Sequence, residues 1–291
     1  VMPSPFARTL QKGGCGKWIP LVVIVVVVFL LAYLYYFTGG DEPKQFIARP
    51  ITKRKDELSA TIVASTGYVT MPGVNSLVEQ KEMFYSTAGL ESLPIFFLIH
   101  NDEKGASGKD WGHMYECLAN QGTYFAPDLI NHGKSRPGPT TMKRVIPVEE
   151  HAESLSIFVR KMFPDRDDVI LVAKGEGAEM AFSVAQQNKQ RIAGFILFAP
   201  TFQSTWVESI ADIPVLLVWA KQDQVVPFSG ASAVERAFFD VQTLFFDSII
   251  PEGVSKVEAH NPEKFKLEQI DIQIQDWVTY IRKYRAPKKD Q

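Results

Sequence analysis

The chain has 291 residues, of which 46% are apolar and 22% charged, and its formal net charge is -2. That apolar share excludes a disordered chain, and the near-zero charge excludes nucleic-acid binding through a basic surface. The two cysteines, Cys15 and Cys117, flank the apolar segment described next, so neither a disulfide between them nor a Cys/His metal cluster is expected.

Residues 1–17 form a polar, glycine-containing tail. From Trp18 to Gly40 there is no charged residue, and the centre reads Ile19-Pro20-Leu21 through Ala32-Tyr33-Leu34. Crossing a bilayer takes about 20 apolar residues at ~1.5 Å rise each, so residues 18–40 are predicted to be a single transmembrane helix. Trp18 at one end and Tyr33, Tyr35 and Tyr36 at the other suit the two interfaces. Pro20 falls in the first turn, where its missing N–H does no harm. A cleaved signal peptide would have a shorter apolar core. Arg8, Lys12 and Lys17 on one flank nearly balance Lys44, Arg49, Lys53, Arg54 and Lys55 on the other, so sidedness stays open. The start at Val1 instead of Met is expected of a trimmed chain, such as an imported organellar protein.

Residues 41–57 read as a charged linker, and residues 58–291 as one α/β domain. Ala60–Ala64 and Met83–Tyr85 alternate as antiparallel strands do. Apolar runs then follow at Ile95–Ile99, Thr123–Phe125, Val169–Val172, Phe195–Phe198, Val215–Val218 and Thr243–Phe246. Continuous runs of this kind suit strands buried on both faces. Helical patterns lie near 111–121, 148–163, 177–188 and 228–239, and a last helix carries Ile270, Ile274, Trp277, Val278 and Ile281 on one face. This order predicts a mainly parallel central sheet flanked by helices.

Several landmarks fall in a fixed order along this domain. Ile99-His100-Asn101 ends the third run, and Trp111 opens the next helical stretch. Ala126-Pro127-Asp128-Leu129-Ile130-Asn131-His132-Gly133-Lys134-Ser135 follows the fourth. Ile213-Pro214-Val215-Leu216-Leu217-Val218-Trp219-Ala220-Lys221-Gln222-Asp223 comes later. From Pro94 to near Tyr284 the chain resembles the α/β-hydrolase family. The resemblance implies that His100-Asn101 border an oxyanion loop, with Asn131 replacing a glycine in a Pro-Asp-Leu-x-Gly-His-Gly-x-Ser stretch. It also implies that Asp223 stands at the triad acid.

Two parts of that pattern are missing. The nucleophile elbow, G-x-S-x-G in the family, reads Ala173-Lys174-Gly175-Glu176-Gly177. Glycine tolerates the positive φ of such a turn, but Gly175 has no nucleophilic side chain. Counting back from Pro262-Glu263 by the family's usual interval places the triad histidine at Ser255, with His260 displaced from it. No standard catalytic residue is therefore expected; Gly175, Asp223 and Ser255 are degenerate triad positions, and His100, Asn101 and Glu176 border a vestigial pocket. Lys174 and Glu176 read as solvated charges, and His132 and Ser135 as residues that fix a loop. Only Thr201–Asp212 separate the sixth and seventh runs, so no lid domain is expected. No metal or cofactor is expected either.

The function this favours is a non-catalytic accessory subunit of a larger membrane complex, with other subunits as partners and the mitochondrial inner membrane as the preferred location. The lack of any Asn-x-Ser/Thr sequon agrees with that. A membrane-bound ester or lipid hydrolase with a non-standard site is the alternative, which would need His260 and Asp223 to activate water. A small-ligand receptor on the same fold is the second alternative.

Overall fold

The computed structural model describes residues 64–71, 81–89, 94–136, 145–247 and 256–285. The chain divides into two compact units, Val1–Ser59 and Ala60–Gln291, and the first lies outside the described residues. The predicted span at 18–40 and the linker at 41–57 therefore lie outside them too. Among the described residues no helix is long and apolar enough to cross a membrane.

Among the described residues, eight strands form one sheet: β1 Ser65–Met71, β2 Lys81–Gly89, β3 Ile95–Ile99, β4 Thr123–Pro127, β5 Val169–Lys174, β6 Ile192–Phe198, β7 Val215–Ala220 and β8 Val241–Phe246. Their order is β1-β2-β4-β3-β5-β6-β7-β8. β2 runs antiparallel to both β1 and β4, and all later neighbours pair in parallel. Residues 60–63 of the expected first strand lie outside the described residues; β1 pairs Tyr68 with Phe84 and Val69 with Met83.

The helices are α1 Tyr115–Gln121, α2 Val148–Met162, α3 Gly177–Gln187, α4 Ala231–Ala237, α5 Pro262–Phe265 and α6 Leu267–Arg285. Two are shorter than their sequence patterns, because 3-10 turns at Gly108–Met114 and Phe228–Gly230 take up the first part of each. Glycine at 108, 112 and 230 weakens α-helix there. The β6–β7 connection holds only two 3-10 turns, Ser204–Trp206 and Glu208–Ile210.

The side-chain period of two explains the continuous apolar strands. In β5, Val169, Leu171 and Ala173 join the core under α2, α3 and α4, whereas Ile170 and Val172 join the one under α1 and α6. Ile270, Ile274, Trp277, Val278 and Ile281 of α6 are all buried in the second core. At roughly 1.5–3 kcal/mol per large apolar side chain, these two layers dominate the domain's stability.

Cys117 on α1 faces α6, where its thiol donates to Asp271 Oδ1 at 2.9 Å. Burial, then the Asp271 carboxylate, pushes the thiol pKa up. Only the thiolate is nucleophilic, so Cys117 is expected to resist iodoacetamide at mildly alkaline pH until the domain is denatured. Peptide mapping distinguishes it from Cys15; rapid native-state alkylation of Cys117 would show that α1 and α6 separate.

Candidate active site

β5 ends at Lys174 and α3 begins at Gly177, so the chain must turn from strand to helix within two residues. Gly175 makes that turn with φ +51, a left-handed value that costs other L-residues about 1–2 kcal/mol. Its N–H donates to the Phe198 carbonyl at 3.1 Å, and its carbonyl accepts the Thr201 N–H at 2.9 Å. These bonds clamp the elbow onto the end of β6.

A Cβ placed on Gly175 would lie 3.2 Å from His260 Nε2 and 3.4 Å from both Asn101 Oδ1 and Nδ2. His260 therefore faces the elbow, and its other nitrogen, Nδ1, lies 2.8 Å from Asp223 Oδ2. A carboxylate oxygen accepts, so Nδ1 is the nitrogen that donates to Asp223 and Nε2 is the one turned toward Gly175. Asp223 is buried after β7, and its Oδ1 accepts the N–H groups of Val225 and Val226 at 2.8 and 3.0 Å.

The interval count that pointed to Ser255 is thus superseded by the geometry. Ser255 lies outside the described residues, while the 3-10 turn Lys256–His260 delivers His260 to Asp223 directly before α5. A count along the chain cannot register how a turn compresses a loop; the hydrogen bond at Asp223 can.

Asn101 ties the loop after β3 to the elbow, because its Oδ1 accepts the Gly177 N–H at 3.2 Å. His100 is structural: its Nε2 accepts the Leu129 N–H at 2.9 Å and its Nδ1 donates to the Asn101 carbonyl at 2.8 Å. Burial lowers its pKa and so favours the neutral ring that this pairing needs. Asp128 pins the same region by accepting Gly108 N–H at 2.8 Å and Lys134 N–H at 2.7 Å. Asn131 takes φ +68 where the family pattern has glycine, a conformation asparagine tolerates better than most residues. Ser135 fixes the loop, accepting Phe84 N–H at 2.9 Å and donating to the Asp128 carbonyl at 2.6 Å.

Lys174 departs from its expected role. It is not solvated but turned inward, with Nζ 2.6 Å from Asn261 Oδ1 and 3.0 Å from Glu263 Oε1. Glu263, which the sequence reading did not single out, is fully buried. Lys174 is drawn in because this carboxylate would otherwise be buried without a cation. Glu176 is exposed, as expected of a solvated charge, but does not line the cavity.

A cavity of about 560 Å³ opens over this arrangement, with Asn101, Lys109, Trp111, Lys174 and His260 in its walls. Among the described residues no serine, threonine or cysteine lines it. The arrangement holds a general base and its orienting acid, aimed at a position without a nucleophile.

No protein-family model matches the chain. A haloalkane dehalogenase from Mesorhizobium japonicum is 32% identical over 123 residues, covering 42% of this chain; the match spans 37% of that relative's length. Among solved structures, a thermophilic esterase from Thermogutta terrifontis aligns with a TM-score of 0.57 at 15% identity, over 75% of this chain and 99% of its own. A haloalkane dehalogenase from Bradyrhizobium elkanii aligns with a TM-score of 0.56 at 15% identity, over 77% of this chain and 99% of its own. A bacterial membrane phospholipase A aligns with a TM-score of 0.56 at 14% identity, over 90% and 98% of the two chains. With the strand order above, these likenesses establish the α/β-hydrolase fold.

Proposed function

We propose that this α/β-hydrolase-fold chain is a non-catalytic subunit held at a membrane by residues 18–40, and that its elbow cavity binds a ligand or a neighbouring chain without forming a covalent intermediate. Gly175 carries this reading. An acyl-enzyme or alkyl-enzyme cycle begins with attack by a side chain at the elbow, and glycine supplies none. The absence of any hydroxyl or thiol in the described cavity wall supports the same conclusion.

The 2.8 Å bond between His260 and Asp223 favours a second reading, in which His260 Nε2 deprotonates a water for direct attack on an ester. The two readings differ in one assay. The detergent-solubilised wild-type chain is expected to show no fluorophosphonate labelling and no turnover of aryl esters above its His260→Ala variant. Unlabelled turnover that disappears with His260→Ala would favour the water mechanism. Labelling at a serine would overturn both. Native migration in mild detergent as a lone monomer would count against the subunit role.

A further inference from the structure

Behind the loop that carries Asn101, three side chains from three separate elements converge: Asp102 after β3, His132 after β4 and His151 in the first turn of α2. Their donor atoms all lie within 4.8 Å of one another. Asp102 Oδ1 is 3.2 Å from His132 Nε2 and 3.5 Å from His151 Nε2. We propose that these three side chains bind a divalent transition metal ion, zinc foremost, through Asp102 Oδ1, His132 Nε2 and His151 Nε2.

The distances carry the argument. Donors at ~2.0–2.1 Å from a tetrahedral zinc stand about 3.3 Å apart, and 3.2 and 3.5 Å straddle that edge. Hydrogen bonding accounts for the cluster less well, since 3.5 Å is long for an N–H···O bond. His132 also places Nδ1 3.2 Å from the Ile130 carbonyl. A carbonyl only accepts, so Nδ1 bears a proton and Nε2 is the nitrogen that faces the carboxylate, the atom a metal ion would take. A backbone-anchored Nδ1–H is also the usual way a ligating imidazole is oriented.

The other polar groups nearby are committed elsewhere. Asp128 accepts two backbone N–H groups, Glu150 pairs with Lys81, and both His100 nitrogens are bonded. His151 is 1% exposed, so packing fixes its ring. The Asp102 and His132 side chains are 25% and 12% exposed, which leaves a solvent side for entry and for a water as fourth ligand. The ion would clip the Asn101 loop to the loop after β4 and to α2. No His-x-x-x-His or Cys-x-x-Cys spacing announces this site, because its ligands lie far apart in the chain.

The full chain, purified in detergent without a histidine tag and stripped with chelator, is titrated with zinc and read by elemental mass spectrometry. One equivalent per chain is expected, with a higher thermal midpoint. Cobalt is expected to give the intense visible bands of a four-coordinate site. Asp102→Asn, at a partly exposed position, is expected to keep the fold by circular dichroism and weaken zinc binding roughly 100-fold. His132→Asn provides a second variant should the first misfold. A folded, stripped wild-type chain that takes up no zinc would mean an imidazolium–carboxylate pair only and overturn the proposal, as would Asp102→Asn binding zinc like the wild type.

Discussion

Gly175→Ser is expected to create a fluorophosphonate-reactive serine in a chain that otherwise has none at this site. The new Cβ would sit 3.2 Å from His260 Nε2, and Oγ, one bond further out, can come within hydrogen-bond reach of it. Asp223 already orients that imidazole. General-base assistance is worth about 10²–10⁴-fold, so labelling should exceed that of Gly175→Ser/His260→Ala by at least ~10²-fold. The left-handed φ of +51 strains a serine, which should cost about 1–2 kcal/mol of stability, within the reserve of an ordinary domain. A folded Gly175→Ser chain that labels no faster than its His260→Ala partner would show that the dyad is not aligned on the elbow. Gly175→Val should fare worse than serine, because its methyl groups would crowd His260 and Asn101.

Lys174→Met is expected to destabilise the domain by about 3–5 kcal/mol, the usual result of removing one partner from a buried ion pair. Glu263 is fully buried, and its Oε2 has no hydrogen-bond partner among the described residues, so its contact with Lys174 at 3.0 Å is the main compensation for its charge. Lys174 also stands 5.8 Å from the centre of the Trp111 ring. For a domain of this size ~1 kcal/mol moves the thermal midpoint by roughly 2–4 °C, so a fall of about 10 °C is expected by calorimetry. Lys174→Met/Glu263→Leu should recover most of the loss, because replacing both charges removes the uncompensated one. A single variant within a degree or two of wild type would mean that water reaches Glu263. The pair matters to the site because it joins the end of β5, one residue before Gly175, to α5, just after His260. Weakening it should loosen the alignment that Gly175→Ser relies on, so combining Lys174→Met with Gly175→Ser should slow labelling.

Particular residues show what could be read in advance. Val169–Val172 and Val215–Val218 were legible as doubly buried strands because a strand's two faces are a local property. The face of α6 was legible for the same reason, since Ile270, Ile274 and Trp277 recur at the helical period. Gly175 was legible because one missing side chain is visible without coordinates. The strand at Ser65–Met71 was not read in advance, because its pairing with β2 is what identifies it.

His260, Glu263 and the Asp102–His132–His151 cluster were not legible in their roles. Each depends on where a loop returns in space. His260 looked displaced because an interval was counted, whereas the 3-10 turn before it sets where the ring points. Lys174 looked solvated because lysine beside a turn ordinarily is; its buried partner lies 89 positions away.

By itself, then, the sequence determined the βα order, the doubly buried strands, the uncharged segment at 18–40 and the lack of a nucleophile at the elbow. The first three follow from local composition and periodicity, which act through neighbours along the chain; the elbow was placed by the resemblance to the α/β-hydrolase family. The tertiary structure alone decided that His260 completes a dyad with Asp223, that Lys174 turns inward to Glu263, and that Asp102, His132 and His151 meet. Those outcomes come from long-range contacts, whose partners are chosen by packing and by the cost of burying a charge or a lone pair alone.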